Sequence, residues 1–145
     1  MKKKGFTLVE LLAVIAILAI LVIMALPAVL RMYREARQTT FIEEVQGTYK
    51  LAQTRYVQDS IKNDANSFTY TNCTTNNNPL DMTTSSNFHY SITISGKDGV
   101  SNFKASNGSY SFTFSGPSLT FNPSDVKAGE GGNVTESATD ICPSS

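Results

Sequence analysis

The chain has 145 residues, of which 12 are basic and 12 acidic, with two cysteines and one histidine. A balance this even does not favour nonspecific binding of nucleic acid by a basic surface. Two cysteines 69 positions apart, with no His/Cys cluster, do not suggest a metal site.

The first element is an apolar run from Phe6 to Leu30 whose only charge is Glu10. Residues Leu11 to Leu30 are twenty consecutive positions without an ionisable group. As a helix they span about 30 Å, enough to cross a bilayer. A carboxylate in such a segment costs on the order of a few kcal/mol near the membrane centre and less near an edge. It is retained where a partner cancels its charge, which makes Glu10 a candidate functional residue. An ordinary secretory signal has a shorter apolar stretch, about 7–15 residues, and a small-x-small cleavage site that is missing here. Lys2, Lys3 and Lys4 precede the run, and Arg31, Arg34 and Arg37 follow it. The positive-inside rule is therefore evenly divided, and a plain single-pass anchor stays open on these residues alone.

The order of features is specific: a short basic leader (Met1 to Gly5), then Phe6-Thr-Leu-Val-Glu10, then a full-length apolar span containing Pro27. Over residues 1–37 this resembles the N-terminus of type IV prepilins. The resemblance implies cleavage by a membrane prepilin peptidase between Gly5 and Phe6, and N-methylation of Phe6. It also implies pairing of Glu10 with the terminal ammonium of a neighbouring subunit, and a helix bend at Pro27. Losing Lys2, Lys3 and Lys4 would leave nine basic against twelve acidic residues, a formal −3. The implied partners are other copies of the subunit, the prepilin peptidase, an assembly platform in the membrane, and lipid before assembly. The implied location is a single-pass membrane protein with its head outside, then an extracellular filament. No cofactor is implied.

Beyond the span, Arg31 to about Ser60 contains no proline. Phe41, Val45, Tyr49, Ala52 and Tyr56 recur at spacings of 4, 4, 3 and 4, one face of a helix. Glu43, Glu44, Lys50, Gln53 and Gln58 lie opposite. Gly47 is a weak point in this half, costing roughly 1 kcal/mol against alanine. From Phe6 to Ser60 the predicted helix is about 80 Å long. Residues 63–87 read as an irregular connection, with a short strand at Phe68-Thr-Tyr-Thr and a turn at Asn76-Asn-Asn-Pro79.

The period then switches to two. Phe88, Tyr90, Ile92 and Ile94 alternate with His89, Ser91, Thr93 and Ser95. Gly96-Lys-Asp-Gly99 is a turn, and Asn107-Gly108 is a two-residue hairpin signal. That hairpin predicts Ala105 opposite Tyr110 and Phe103 opposite Phe112, all on one face. Leu119 and Phe121 suggest a last short strand. Residues 123–145 read as a loop with Gly129-Glu-Gly-Gly132 at its centre. Cys73 and Cys142 can close a loop of about 70 residues, worth roughly 4 kcal/mol if oxidised; two free thiols are the other reading.

The expected fold is α+β: a long N-terminal helix over about 6–60, its first half transmembrane, packed on a small antiparallel sheet of three to four strands. Such an arrangement also resembles the pilin fold. The expected segments are a leader (1–5), a transmembrane and assembly helix (6–30), an amphipathic helix (31–60) and an extracellular head (61–145). His89 sits on the polar side of a strand, Glu43 and Glu44 point in different directions, and no nucleophile elbow or phosphate-binding loop is present, so no enzyme is expected. The expected function is a structural subunit of a type IV pilus. A pseudopilin of a type II secretion or competence system, and a monomeric membrane-anchored binding domain, are the alternatives. What such a filament touches outside the cell is left open.

Overall fold

The structure is a computed structural model that describes residues 5–73, 78–118, 122–128, 133–136 and 141–142. Its elements are α1 (Leu8–Lys62), β1 (Ser67–Thr71), β2 (His89–Ser95), β3 (Gly99–Ser106), β4 (Ser111–Ser118), a 3-10 turn (Pro123–Asp125) and β5 (Val134–Thr135). The chain divides into two compact units, Met1–Arg37 and Gln38–Ser145, and α1 runs through both. The fold is α+β and pilin-like: one long N-terminal helix, with an antiparallel sheet packed on its later half.

The first unit is helix with no cover of its own. Every described residue up to Arg37 is exposed, and within this unit α1 is the one element among the described residues. Pro27 lies inside the helix, which continues past it. The proline lacks an N–H, so the carbonyl of Ile23 has no i+4 donor in the ladder. Beyond the apolar stretch, Arg31 Nε donates to Glu35 Oε1 at 2.8 Å, and the Arg37 guanidinium lies over the Tyr33 ring.

In the second unit α1 buries Phe41, Val45, Thr48, Tyr49 and Ala52. Tyr56, the end of the expected stripe, is half-buried, and its hydroxyl donates to Asn66 O. Thr48 adds a polar member to the buried face. Its hydroxyl donates to Glu44 O one turn back, which satisfies it locally.

The sheet is a meander in the order β1-β2-β3-β4-β5, antiparallel throughout. Tyr70, Tyr90, Ile92, Ile94, Val100, Phe103, Ala105 and Phe112 are buried in one core with Phe41, Val45 and Ala52 of α1. Period-two alternation delivers this, since every second side chain points to the same face.

Two expectations are corrected. Among the described residues the sheet has five strands rather than three or four, because β5 forms in a stretch expected to be loop. Val134 is buried, and its N–H donates to Lys127 O, so a single apolar residue in polar surroundings finds a slot beside Phe112. The hairpin register is also shifted by two: Ala105 faces Phe112 and Phe103 faces Phe114. The Asn107 side chain accepts from Ser109 N and Tyr110 N, and Gly108 takes the positive φ, so Gly108-Ser109 form the tip. An even shift keeps each side chain on its face, so the buried set is still Phe103, Ala105, Tyr110 and Phe112. The expected strand at Leu119 and Phe121, the first half of the Asn76–Pro79 turn and Gly129–Gly132 lie outside the described residues.

The connection from β1 to β2 is fastened to α1. Leu80 is buried in the core, and Ser85 donates through both N and Oγ to Glu44 Oε1 at 2.9 Å. Glu44 Oε2 is enclosed without a hydrogen bond among the described residues. A Cβ added to Gly47 would meet Met82 Cε at 3.9 Å, an ordinary contact. Gly47→Ala is therefore expected to stabilise the protein by up to about 1 kcal/mol, raising the melting temperature by a few degrees. A lower melting temperature would show that Met82 needs the space.

Cys73 and Cys142 are joined in a disulfide, with their Cα atoms 5.1 Å apart. It connects chain just beyond β1, one edge strand, to chain beyond β5, the other edge strand.

Three tyrosines titrate abnormally in this unit. Burial pushes Tyr70 up, and its hydrogen bond to Asp59 adds to the effect. Burial likewise raises Tyr49 and Tyr90. A folded-state pKa above the unfolded value gives stability that is complete below the unfolded tyrosine pKa, about 10, and lost as pH rises through the folded values. The melting temperature of the full chain in detergent should fall steeply above about pH 10, with tyrosinate absorbance appearing together with unfolding. Tyrosinate forming well before unfolding would contradict this.

Candidate functional site: the first turn of the apolar helix

Among the described residues no group of His, Cys, Asp and Glu could hold a metal ion. His89 is exposed on β2, and Glu43 is exposed on α1 while Glu44 clasps Ser85. The chemistry singled out in the sequence is concentrated at the start of α1.

Thr7 immediately precedes the helix and Glu10 sits in its first turn. The two close on each other. Thr7 N donates to Glu10 Oε2 at 2.9 Å, the Thr7 hydroxyl donates to the same oxygen at 3.0 Å, and Glu10 N donates to Thr7 Oγ1 at 3.3 Å. This is a capping box, in which the cap residue and the third helical residue satisfy each other's orphan N–H groups. An acid at this end also faces the positive pole of the helix dipole. Thr7, which the charge pattern alone does not single out, is announced by the Thr-x-x-Glu spacing ahead of an apolar run.

The geometry fixes what Glu10 can still do. Both Thr7 donors use Oε2, and Oε1 accepts nothing among the described residues. The carboxylate is thus held in place by one oxygen with the other open. Phe6 is 84% exposed, and a Cβ added at Gly5 would meet nothing within 4 Å, so the Gly5–Phe6 peptide is unobstructed by the rest of the described chain. Apolar side chains from Leu8 to Leu30 are exposed on all sides of the helix. α1 is the one helix among the described residues long and apolar enough to cross a membrane.

The arrangement, an uncovered N-terminal helix with a pilin-like head, defines the class, and one comparison agrees with it. Residues 1–26 match the family model described as the prokaryotic N-terminal methylation motif, the type IV prepilin-type signal. The motif supports a type IV pilin-like or pseudopilin precursor, a structural class that is generally non-enzymatic and is processed by prepilin peptidase for polymerisation. The apolar helix fits membrane anchoring before assembly. No curated protein and no solved structure matches the chain.

Proposed function

We propose that this chain is a structural subunit of an extracellular type IV pilus, without enzymatic activity of its own. Prepilin peptidase removes residues 1–5 by cutting between Gly5 and Phe6, and Phe6 is then N-methylated. The segment 6–30 anchors the subunit in the membrane, with residues 61–145 outside as the head. An assembly platform then draws the subunit into a filament whose centre is the packed apolar helices. Pro27 supplies a weakened point at which the helix bends.

The reading is carried by Glu10, held on the first turn of an uncovered apolar helix, within the matched motif and four residues behind Phe6. Before cleavage the Phe6 nitrogen is an amide. After cleavage it is an amine that titrates near pH 8 and is mostly protonated at neutral pH, and methylation keeps its charge. The open Oε1 of Glu10 is a ready acceptor for that ammonium on a neighbouring copy. In a low-dielectric bundle each charge is expensive alone, so processing creates the partner that assembly needs.

The test is to shear cells, sediment the released material and measure the N-terminal mass. A pilus subunit gives long surface fibres, lost on deletion of the gene, whose protein begins at N-methylated Phe6. A processed subunit without long fibres is a pseudopilin. A chain that keeps its lysine leader and stays unpolymerised in the membrane refutes assembly altogether.

A further inference from the structure

The proposed contact has a simple geometry: a positive group at position 6 of one copy lies level with a negative group at position 10 of the next. Parallel helices paired in this way are offset by four residues, about 6 Å. The same offset brings position 31 of the first copy level with position 35 of the second. Those positions hold Arg31 and Glu35, with the same signs in the same order.

They also share the face. From 6 to 31, and from 10 to 35, is 25 residues, which at about 100° per residue is seven turns less about 20°. α1 continues as helix through Pro27, and a bend there that both copies share leaves their mutual offset and facing side unchanged. The Arg31/Glu35 couple thus lies directly above the Phe6/Glu10 couple on one stripe of the helix, about 38 Å further along.

We propose that in the assembled filament Arg31 of one copy pairs with Glu35 of the adjacent copy, a second charge contact in the register set by Glu10 and the Phe6 ammonium. The inference rests on the filament reading above. Within the single chain these two residues bond to each other at 2.8 Å, with their side chains 78% and 61% exposed. An exposed pair of this kind contributes little, so exchanging partners costs little. Moreover, the basic residue precedes the acidic one, the less favourable order for an i,i+4 pair within a helix. It is the order that docking at a four-residue offset requires. Any other offset leaves both contacts unmatched, and two contacts far apart on one stripe fix the axial position and the parallel alignment of the helices together.

Charge reversal separates an intermolecular pair from an intramolecular one. Arg31→Glu puts two acids, and Glu35→Arg two bases, at each contact, so each variant expressed alone should lose about tenfold or more of its sheared filament. Expressed together, the two variants complement each other between copies. The acid introduced by Arg31→Glu then faces the base introduced by Glu35→Arg, and the Arg31 kept by one variant faces the Glu35 kept by the other. Filaments should return, containing both chains in similar amounts. An intramolecular pair predicts no such rescue, since each copy keeps its own like-charged couple. Processed, membrane-bound subunit is measured in every strain. Full filament yield from the single variants overturns the inference, as does failure of co-expression to restore filaments while both variants are processed. A cysteine pair gives an independent readout. Filaments mixed from Arg31→Cys and Glu35→Cys subunits should yield dimers with a short bismaleimide, and filaments of either alone should not. Mixed filaments without that cross-link defeat only this inference, whereas absence of wild-type filaments defeats the pilus reading itself.

Discussion

Replacing Glu10 with glutamine should abolish filaments while leaving the subunit processed and in the membrane. Glutamine at this position still completes the capping box with Thr7, so the start of α1 is preserved and only the charge is removed. In the proposed filament the neighbouring Phe6 ammonium then has no counter-charge in a low-dielectric bundle, a loss of roughly 3–5 kcal/mol per contact, or about a hundred- to several-thousandfold. Thr7→Ala tests the opposite half. It removes the hydroxyl that holds Oε2 but leaves the carboxylate, so about 1 kcal/mol of capping is lost and filament yield should fall only in part. Sheared filament per processed subunit is the quantity to compare. Wild-type yield from Glu10→Gln would show that the carboxylate serves only as a helix cap.

The second large effect is expected from removing the disulfide. Replacing Cys73 and Cys142 together by serine opens a ring with a sequence separation of 69. Loop-closure entropy puts the cost at about 4 kcal/mol, and for a head of this size that lowers the melting temperature by on the order of 20 °C. β5 is expected to be lost first, because it meets β4 through only Ser111 and Phe112. Exchange of the Val134 amide measured in the variant would show this, as faster exchange there than in β2 and β3. Unchanged melting would mean that the core of Phe41, Tyr90, Phe103 and Phe112 holds the head unaided.

Sequence periodicity made much of this fold legible. The 3.6-residue stripe from Phe41 to Ala52 and the two-residue alternation around Ile92 and Phe103 each name a buried face. Those faces survive errors in detail, as the hairpin shows: Asn107 moved the register by two, and the core was unchanged. The features missed depend on contacts between distant positions. Nothing near Glu44 points to Ser85, 41 positions on, and nothing in the polar tail marks Val134 as a strand residue. At the candidate site the charge on Glu10 was plain, because one acid in an apolar run stands out. Its bond to Thr7 is encoded less visibly, in the Thr-x-x-Glu spacing, which the charge alone does not reveal.

The placement of the disulfide has a practical outcome if the head lies outside the cell, as proposed above. Lys97 lies in the exposed turn between β2 and β3, an accessible point for a trypsin-like protease. Cutting there divides the processed chain proposed above into Phe6–Lys97 and Asp98–Ser145, with one cysteine in each piece. The severed halves stay bound covalently, so on a gel the damage would be seen only after a reductant is added.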